Sequence, residues 1–394
     1  MKTQKIVLIF LIVLLSNSHC NLFAQSYSIG HTTVNFIDAS RNNRSIPTEI
    51  YYPSNTAGND VSVVSNNFLK FPALVFGHGF LMTWDAYQNI WESIVPNGYV
   101  MAFPKTEGGF SPSHLEYAKD LSFVINQMNE LGANSTSIFF DRISNMNAVM
   151  GHSMGGGAAF LATQLNANIK TMITLSAAET TPSAIAAASS IVIPSLVFAG
   201  SNDCVTPPIS NQLSMYNAIS STCKTYISIS GGSHCQMANS NLYCTFGESS
   251  CTPIPTISRD FQHLVLNDYM VKWLEYQLKN DCVLGSQFDT LIISDSRITF
   301  QKNCSQCDTM SNNIVYLKNQ FKIYPNEFTD VLYFSIDSNE TFRFSIFDSS
   351  LKEIRRQNFV NFGSIDTSSL PSGWYFYEIT SGENSIKSGK VLKK

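Results

Sequence analysis

The stretch Gly151-His152-Ser153-Met154-Gly155 has the strongest chemical potential in this sequence. A serine hydroxyl alone is a weak nucleophile; it becomes effective when a neighbouring base takes its proton and a carboxylate orients that base. Here the serine follows the apolar run Asn147 to Met150 and precedes Gly156-Gly157-Ala158-Ala159-Phe160, a helix start. This is G-x-S-x-G in a strand–turn–helix context, where the turn is too tight for side chains at the flanking glycines. Ser153 is predicted at a helix N-terminus, where backbone N–H groups favour developing negative charge. The chemistry implied is acyl transfer through a covalent intermediate.

Two partners are required, on loops after later strands, in the chain order serine, acid, histidine. Asp203 ends Gly200-Ser201-Asn202-Asp203, directly after the strand-like run Ser195 to Ala199. His234 ends Gly231-Gly232-Ser233-His234, directly after Thr225 to Ser230. Other residues compete for these roles. Glu179, after Met172 to Leu175, is a second carboxylate. His263 lies within a helical pattern, and His78, His114 and His152 precede the acid. An oxyanion needs two N–H donors, one from the residue after the nucleophile and one from the loop after the third strand. Met154 supplies the first and Phe80, in Gly77-His78-Gly79-Phe80, the second, with Gly79 as the alternative. His78 reads as a brace for that loop. Neither metal nor organic cofactor is called for, because side chains alone activate the nucleophile.

These residues require a sheet to hold them. From about Pro72 to Gly231, short apolar runs alternate with amphipathic segments, the pattern of a parallel sheet covered by helices. The strands expected are Pro72 to Phe76, Tyr99 to Phe103, Asn147 to Met150, Met172 to Leu175, Ser195 to Ala199 and Thr225 to Ser230. Thr83 to Val95, His114 to Leu131 and Asp260 to Leu278 carry apolar residues at helical spacing. Thr33 to Ile37 and Thr48 to Tyr52 form an antiparallel opening. The fold class is therefore α/β, a doubly wound, mostly parallel sheet, expected over residues 26–282. A polar connector follows over 283–318. Residues 319–394 then alternate with period two between turn residues, as a small β-sandwich does.

The chain has 394 residues, 44% hydrophobic and 14% charged, with a formal net charge of −4. That is ample core material, and no basic stripe exists to follow a phosphate backbone, so nucleic-acid binding is excluded. Lys2 and Lys5 before the apolar run Ile6 to Leu15, ending near Phe23-Ala24-Gln25, have the layout of a cleavable leader over residues 1–25. Ten apolar residues are too few to span a bilayer.

Of nine cysteines, Cys20 falls in that leader, and the remaining eight, in an oxidising compartment, point to disulfides. Strand ends carrying Asp203 and His234 share one sheet edge, which predicts Cys204–Cys235. Cys223 and Cys282 fall at the opposite edge and are expected to pair. Cys244–Cys251 and Cys304–Cys307 would close short loops.

Gly79-Phe80, the elbow Gly151 to Gly157, Asp203 followed by Val205-Thr206-Pro207-Pro208, and Gly232-Ser233-His234 together resemble the dienelactone-hydrolase and cutinase-like polyester-hydrolase branch of the α/β-hydrolases, over about Tyr27 to Leu278. The resemblance implies a lidless esterase with a shallow cleft, lined by Phe80 and Met154. Around Ala177-Ala178-Glu179-Thr180 it departs from polyester hydrolases, which usually place a tryptophan there; Glu179 becomes the substrate-facing residue. Ile323-Tyr324-Pro325-Asn326, Pro371-Ser372-Gly373-Trp374-Tyr375 and the closing Lys387 to Lys394 are similar to the C-terminal sorting domain of the type IX (Por) secretion system. That implies export by this machinery, with the tail removed afterwards.

The resulting expectation is a secreted serine carboxylic-ester hydrolase, extracellular or at the cell surface and monomeric, without a stable membrane span. Its substrates are short-chain or aromatic esters, small or polymeric. An amidase or peptidase on the same triad, and a noncatalytic adhesin, are the competing readings. Tyr87, Trp84, Trp91 and Phe110 are either cleft aromatics or core.

Overall fold

The computed structural model describes residues 26–64, 70–304, 321–336, 341–350, 352–381 and 384–394. The expected leader at 1–25, with Cys20, and also Cys307 lie outside them.

The chain opens with β1 (Ser28–Asp38) and β2 (Arg44–Ser54), paired antiparallel from Ser28↔Ser54 to Asp38↔Arg44. Then come β3 (Gly58–Asn59), β4 (Phe71–Gly77), α1 (Gln88–Ile94), β5 (Val100–Pro104), α2 (His114–Ala133), β6 (Ile143–His152) and α3 (Met154–Leu165). The unit continues through β7 (Thr171–Leu175), α4 (Ala184–Ala188), β8 (Ser195–Gly200), α5 (Gln212–Ala218), β9 (Lys224–Ile229), α6 (Leu242–Glu248), α7 (Arg259–Lys279), α8 (Cys282–Ser294) and β10 (Ile298–Asn303). The ten strands form one sheet in the order β10-β9-β8-β7-β6-β4-β5-β2-β1-β3, parallel from β5 through β9. This is the α/β-hydrolase architecture.

The central strands are apolar throughout because both their faces are covered. Ala73, Val75, Val149 and Val197 point into one core with α2, α3, α4 and α5. Their neighbours Leu74, Phe76, Met150 and Phe198 point into a second core with α1, α7 and α8. Ser113 caps α2 by accepting the Glu116 N–H, and Ser258 caps α7 through Phe261 N–H, which fixes where both long helices begin.

The segment expected as a connector from 283 belongs instead to this unit through its first part. It forms α8 and then β10, which pairs antiparallel with β9 from Ile298↔Ile229 to Asn303↔Lys224. Edge strand β10 buries only Ile298 fully, so its sequence lacks the apolar run that marks the inner strands.

Three of the expected disulfide pairings are overturned through β10 and α6, and the fourth falls with them. Cys223 bonds Cys304, not Cys282. Because Lys224 faces Asn303 across the β9–β10 pair, the residues before one strand and after the other are neighbours. Cys304 is thereby unavailable to Cys307, and Cys282 is also disulfide-bonded. On the opposite rim, Cys204 pairs with Cys251 and Cys235 with Cys244, in place of Cys204–Cys235 and Cys244–Cys251. Both rim loops are tied to the segment around α6 rather than to each other.

The C-terminal unit is a β-sandwich. Its strands are β11 (Lys322–Tyr324), β12 (Glu327–Phe328), β13 (Val331–Ser335), β14 (Phe342–Phe347), β15 (Glu353–Phe359), β16 (Phe362–Asp366), β17 (Gly373–Ser381) and β18 (Asn384–Lys393). They form a three-stranded sheet, β11-β13-β16, and a five-stranded sheet, β12-β18-β17-β14-β15. Phe334 and Phe344, one from each sheet, stack at 4.1 Å between ring centroids in the shared core.

Candidate active site

Strand β6 delivers Ser153 to the sheet edge in a backbone conformation that ordinary residues avoid, φ 53° and ψ −120°. A β-carbon added to Gly155 would collide with Gly77 O, and one added to Gly151 with Gly155 O, so β4, the turn and α3 can approach this closely only through glycine. The turn is held by its own backbone: Ser153 N–H donates to Leu175 O at 3.0 Å, and Ser153 O accepts from Ala178 N–H at 2.9 Å.

Asp203 and His234 emerge from β8 and β9 at the same end of the parallel sheet as Ser153. His234 Nδ1 lies 2.8 Å from Asp203 Oδ2, and both side chains are buried. The carboxylate also accepts Thr206 N–H at Oδ1 (2.8 Å) and the Thr206 hydroxyl at Oδ2 (2.9 Å). A proton on Nδ1, facing the carboxylate, leaves Nε2 unprotonated as a base. Behind the base loop, Gln262 of α7 accepts Ser233 N–H and donates to Ser233 O, both at 2.9 Å.

His152 ties the Ser153 turn to the His234 loop. Its ring packs on that of His234 with centroids 4.7 Å apart, and its Nε2 lies 3.2 Å from His234 O. A carbonyl can only accept, so Nε2 carries the proton and Nδ1 accepts from the Tyr87 hydroxyl at 3.0 Å. Complete burial holds the His152 pKa well below its ordinary value, with the Arg259 charge acting the same way; the ring is neutral.

The loop after β4 is gripped by two tyrosines. His78 N–H donates to Tyr117 Oη at 2.6 Å and Gly79 N–H to Tyr87 Oη at 2.8 Å. Gly79 is thus committed elsewhere. Phe80 N–H and Met154 N–H form no hydrogen bond among the described residues and are free for a ligand oxygen. The His78 ring sits between Gly79 O and Thr106 O, each 2.9 Å from a ring nitrogen.

The remaining expected residues have other surroundings. Glu179 is exposed, and its Oε2 accepts Ile185 N–H at 3.0 Å, while the carboxylate on His234 Nδ1 is that of Asp203. His263, on α7, lies 3.1 Å from Ala238 O. Tyr87 and Trp91 are core residues, and Trp84 Nε1 donates to Tyr51 Oη. Phe110 is exposed. Sequence reasoning missed Thr206 and Gln212, whose Nε2 donates to Thr206 Oγ1 at 2.9 Å. A hydroxyl residue three positions after the acid was the available signal for Thr206; Gln212 offered none. Among the described residues, no cluster of three His, Cys, Asp or Glu side chains is placed to hold a metal ion, and no helix is long and apolar enough to cross a membrane.

An elbow serine on an α/β-hydrolase sheet, with an aspartate-bound histidine at the same rim, defines a hydrolase class. The model of the PET hydrolase-like family matches residues 23–253, and the chain belongs to that family of ester-type hydrolases. The model of the secretion system C-terminal sorting domain matches residues 322–394. This tail marks the protein for secretion by the type IX machinery, to the cell surface or the extracellular space. No curated protein matches the chain.

Proposed function

We propose that this protein is a serine carboxylic-ester hydrolase working through an acyl-enzyme. Ser153 Oγ attacks the ester carbonyl carbon while His234 Nε2 takes its proton, and Asp203 orients and stabilises the imidazolium. The oxyanion is held by Phe80 N–H and Met154 N–H. The C–O bond then breaks, and Nε2–H protonates the leaving alkoxide. Water, deprotonated by the same nitrogen, releases the acid and restores Ser153.

The observation that carries this reading is the 2.8 Å bond between Asp203 and His234 at the rim that also bears the strained Ser153 turn. Turnover of p-nitrophenyl butyrate by the purified full chain tests it. Ser153→Ala and His234→Ala are each expected to remove about 10⁴-fold or more of kcat. Equal turnover of the matching anilide would instead favour an amidase.

Substrate preference follows from what surrounds the site. Between β7 and β8 the only helix is the five-residue α4, too little to form a long lid. Short acyl chains are therefore preferred over long ones. A polyester is the second reading, favoured by exposed apolar side chains on the segments that follow β4, β5, β8 and β9, α6 included. There Phe80, Phe110, Ile209, Leu242, Phe246 and Ile254 are all exposed. Release of soluble acids from an aromatic polyester film by the wild type, and not by Ser153→Ala, would support it.

A further inference from the structure

Thr206 takes no part in the scheme above, yet its hydroxyl is surrounded by the groups that do. Oγ1 lies 2.9 Å from Asp203 Oδ2, 3.0 Å from His234 Nδ1, 3.2 Å from Ser176 O and 2.9 Å from Gln212 Nε2. The Thr206 N–H donates to the other carboxylate oxygen, Asp203 Oδ1, at 2.8 Å. All of these side chains are buried.

A hydroxyl has one proton to give, so the four neighbours can be sorted. The Gln212 amide nitrogen only donates, and it fills one lone pair of Oγ1. His234 Nδ1 carries its own proton toward Asp203 and cannot accept. The hydroxyl proton is left with Asp203 Oδ2 or Ser176 O, and the carboxylate oxygen is both nearer and the stronger acceptor. The second lone pair of Oγ1 then faces the imidazole N–H. Gln212 is itself anchored, since its Nε2 also donates to Ala177 O at 2.6 Å.

Resting on the serine-hydrolase reading, we propose that Thr206, oriented by Gln212, is a positioning residue for this pair. It grips both oxygens of Asp203 and offers the Nδ1–H of His234 a second acceptor when the imidazole becomes charged. The backbone N–H alone would suffice to shape the loop, and any β-branched side chain would fill the space. What shape and backbone do not supply is the hydroxyl, a donor to Asp203 Oδ2 and an acceptor facing Nδ1–H of His234.

The test uses the full chain and p-nitrophenyl butyrate. Thr206→Val is expected to lower kcat by about 10- to 100-fold, the worth of a hydrogen bond to a charged group, with KM within about twofold of wild type. Thr206→Ser restores kcat to within about threefold of wild type, because it keeps the O–H. Gln212→Leu, which lets the hydroxyl turn away, lowers kcat by about three- to tenfold with the same unchanged KM, and it carries the test if Thr206→Val does not fold. Unchanged kcat in the folded variants, a loss confined to KM, or a serine variant as slow as the valine one would overturn the inference. Ser153→Ala separates the two levels: if it turns over like the wild type, the serine-hydrolase reading fails, and this inference with it.

Discussion

The hydroxyl of Tyr87 stands 3.0 Å from Nδ1 of His152, joining the turn that carries Ser153 to the loop that carries Phe80. Because the same oxygen accepts Gly79 N–H, one buried tyrosine links the Ser153 turn to the Phe80 loop, and so the proposed nucleophile to the proposed oxyanion donor. Tyr87→Phe leaves Gly79 N–H and His152 Nδ1 unpaired in the core, at about 1–3 kcal/mol for each group. The variant is expected to melt lower. It should also lose about tenfold in kcat, a fraction of the 10²–10³ that deleting an oxyanion donor costs. Calorimetry and steady-state kinetics on the same preparation check both; a variant with wild-type kcat would show that the loop is held by other contacts.

Acid should weaken the fold before it denatures the surface. Burial lowers the pKa of His152, His78 and His263. Below their ordinary value of about 6.5, the unfolded chain binds protons that the folded chain refuses. Stability therefore falls as pH drops through 6.5, by about 1.4 kcal/mol per pH unit for each proton withheld by the buried His152 and His78, and by less for the partly exposed His263. Urea unfolding at pH 7.5, 6.5 and 5.5 measures the slope, and His152→Gln should remove one proton's share of it. Stability that stays level across that range would contradict the burial of these rings.

The two rim disulfides should matter beyond stability, since Cys204 follows Asp203 and Cys235 follows His234. With sequence separations of 47 and 9 residues, loop-closure entropy gives them about 4 and about 3 kcal/mol respectively. Replacing Cys204 and Cys251 by serine is expected to lower both the melting temperature and kcat. Peptide mapping under non-reducing conditions should join Cys204 to Cys251. A Cys204–Cys235 peptide would mean that the loops are tied directly to each other.

The site's chain-local parts were legible in the sequence, and those assembled from distant segments were not. Ser153 announces itself through its glycines, and Asp203 and His234 through their places after apolar strands. The inner strands read clearly because both faces are buried, whereas β10, an edge strand with one buried residue at its start, did not. The cysteine pairing failed for the same reason. Topology told the rims of Cys204, Cys235, Cys223 and Cys282, but the partner of Cys223 depends on β10, and the partners of Cys204 and Cys235 depend on the path of α6. Thr206 and Gln212, and the grip of Tyr87 and Tyr117 on the Phe80 loop, need contacts across the fold that no local spacing encodes.

Intact-mass analysis after exposure to a fluorophosphonate tests the central claim most directly. Such a reagent phosphonylates only a serine whose hydroxyl is activated by a correctly held imidazole. One adduct per chain, mapped to Ser153 and lost in His234→Ala, is the predicted result. A wild-type chain that stays unlabelled, or carries its label on another residue, would contradict the account.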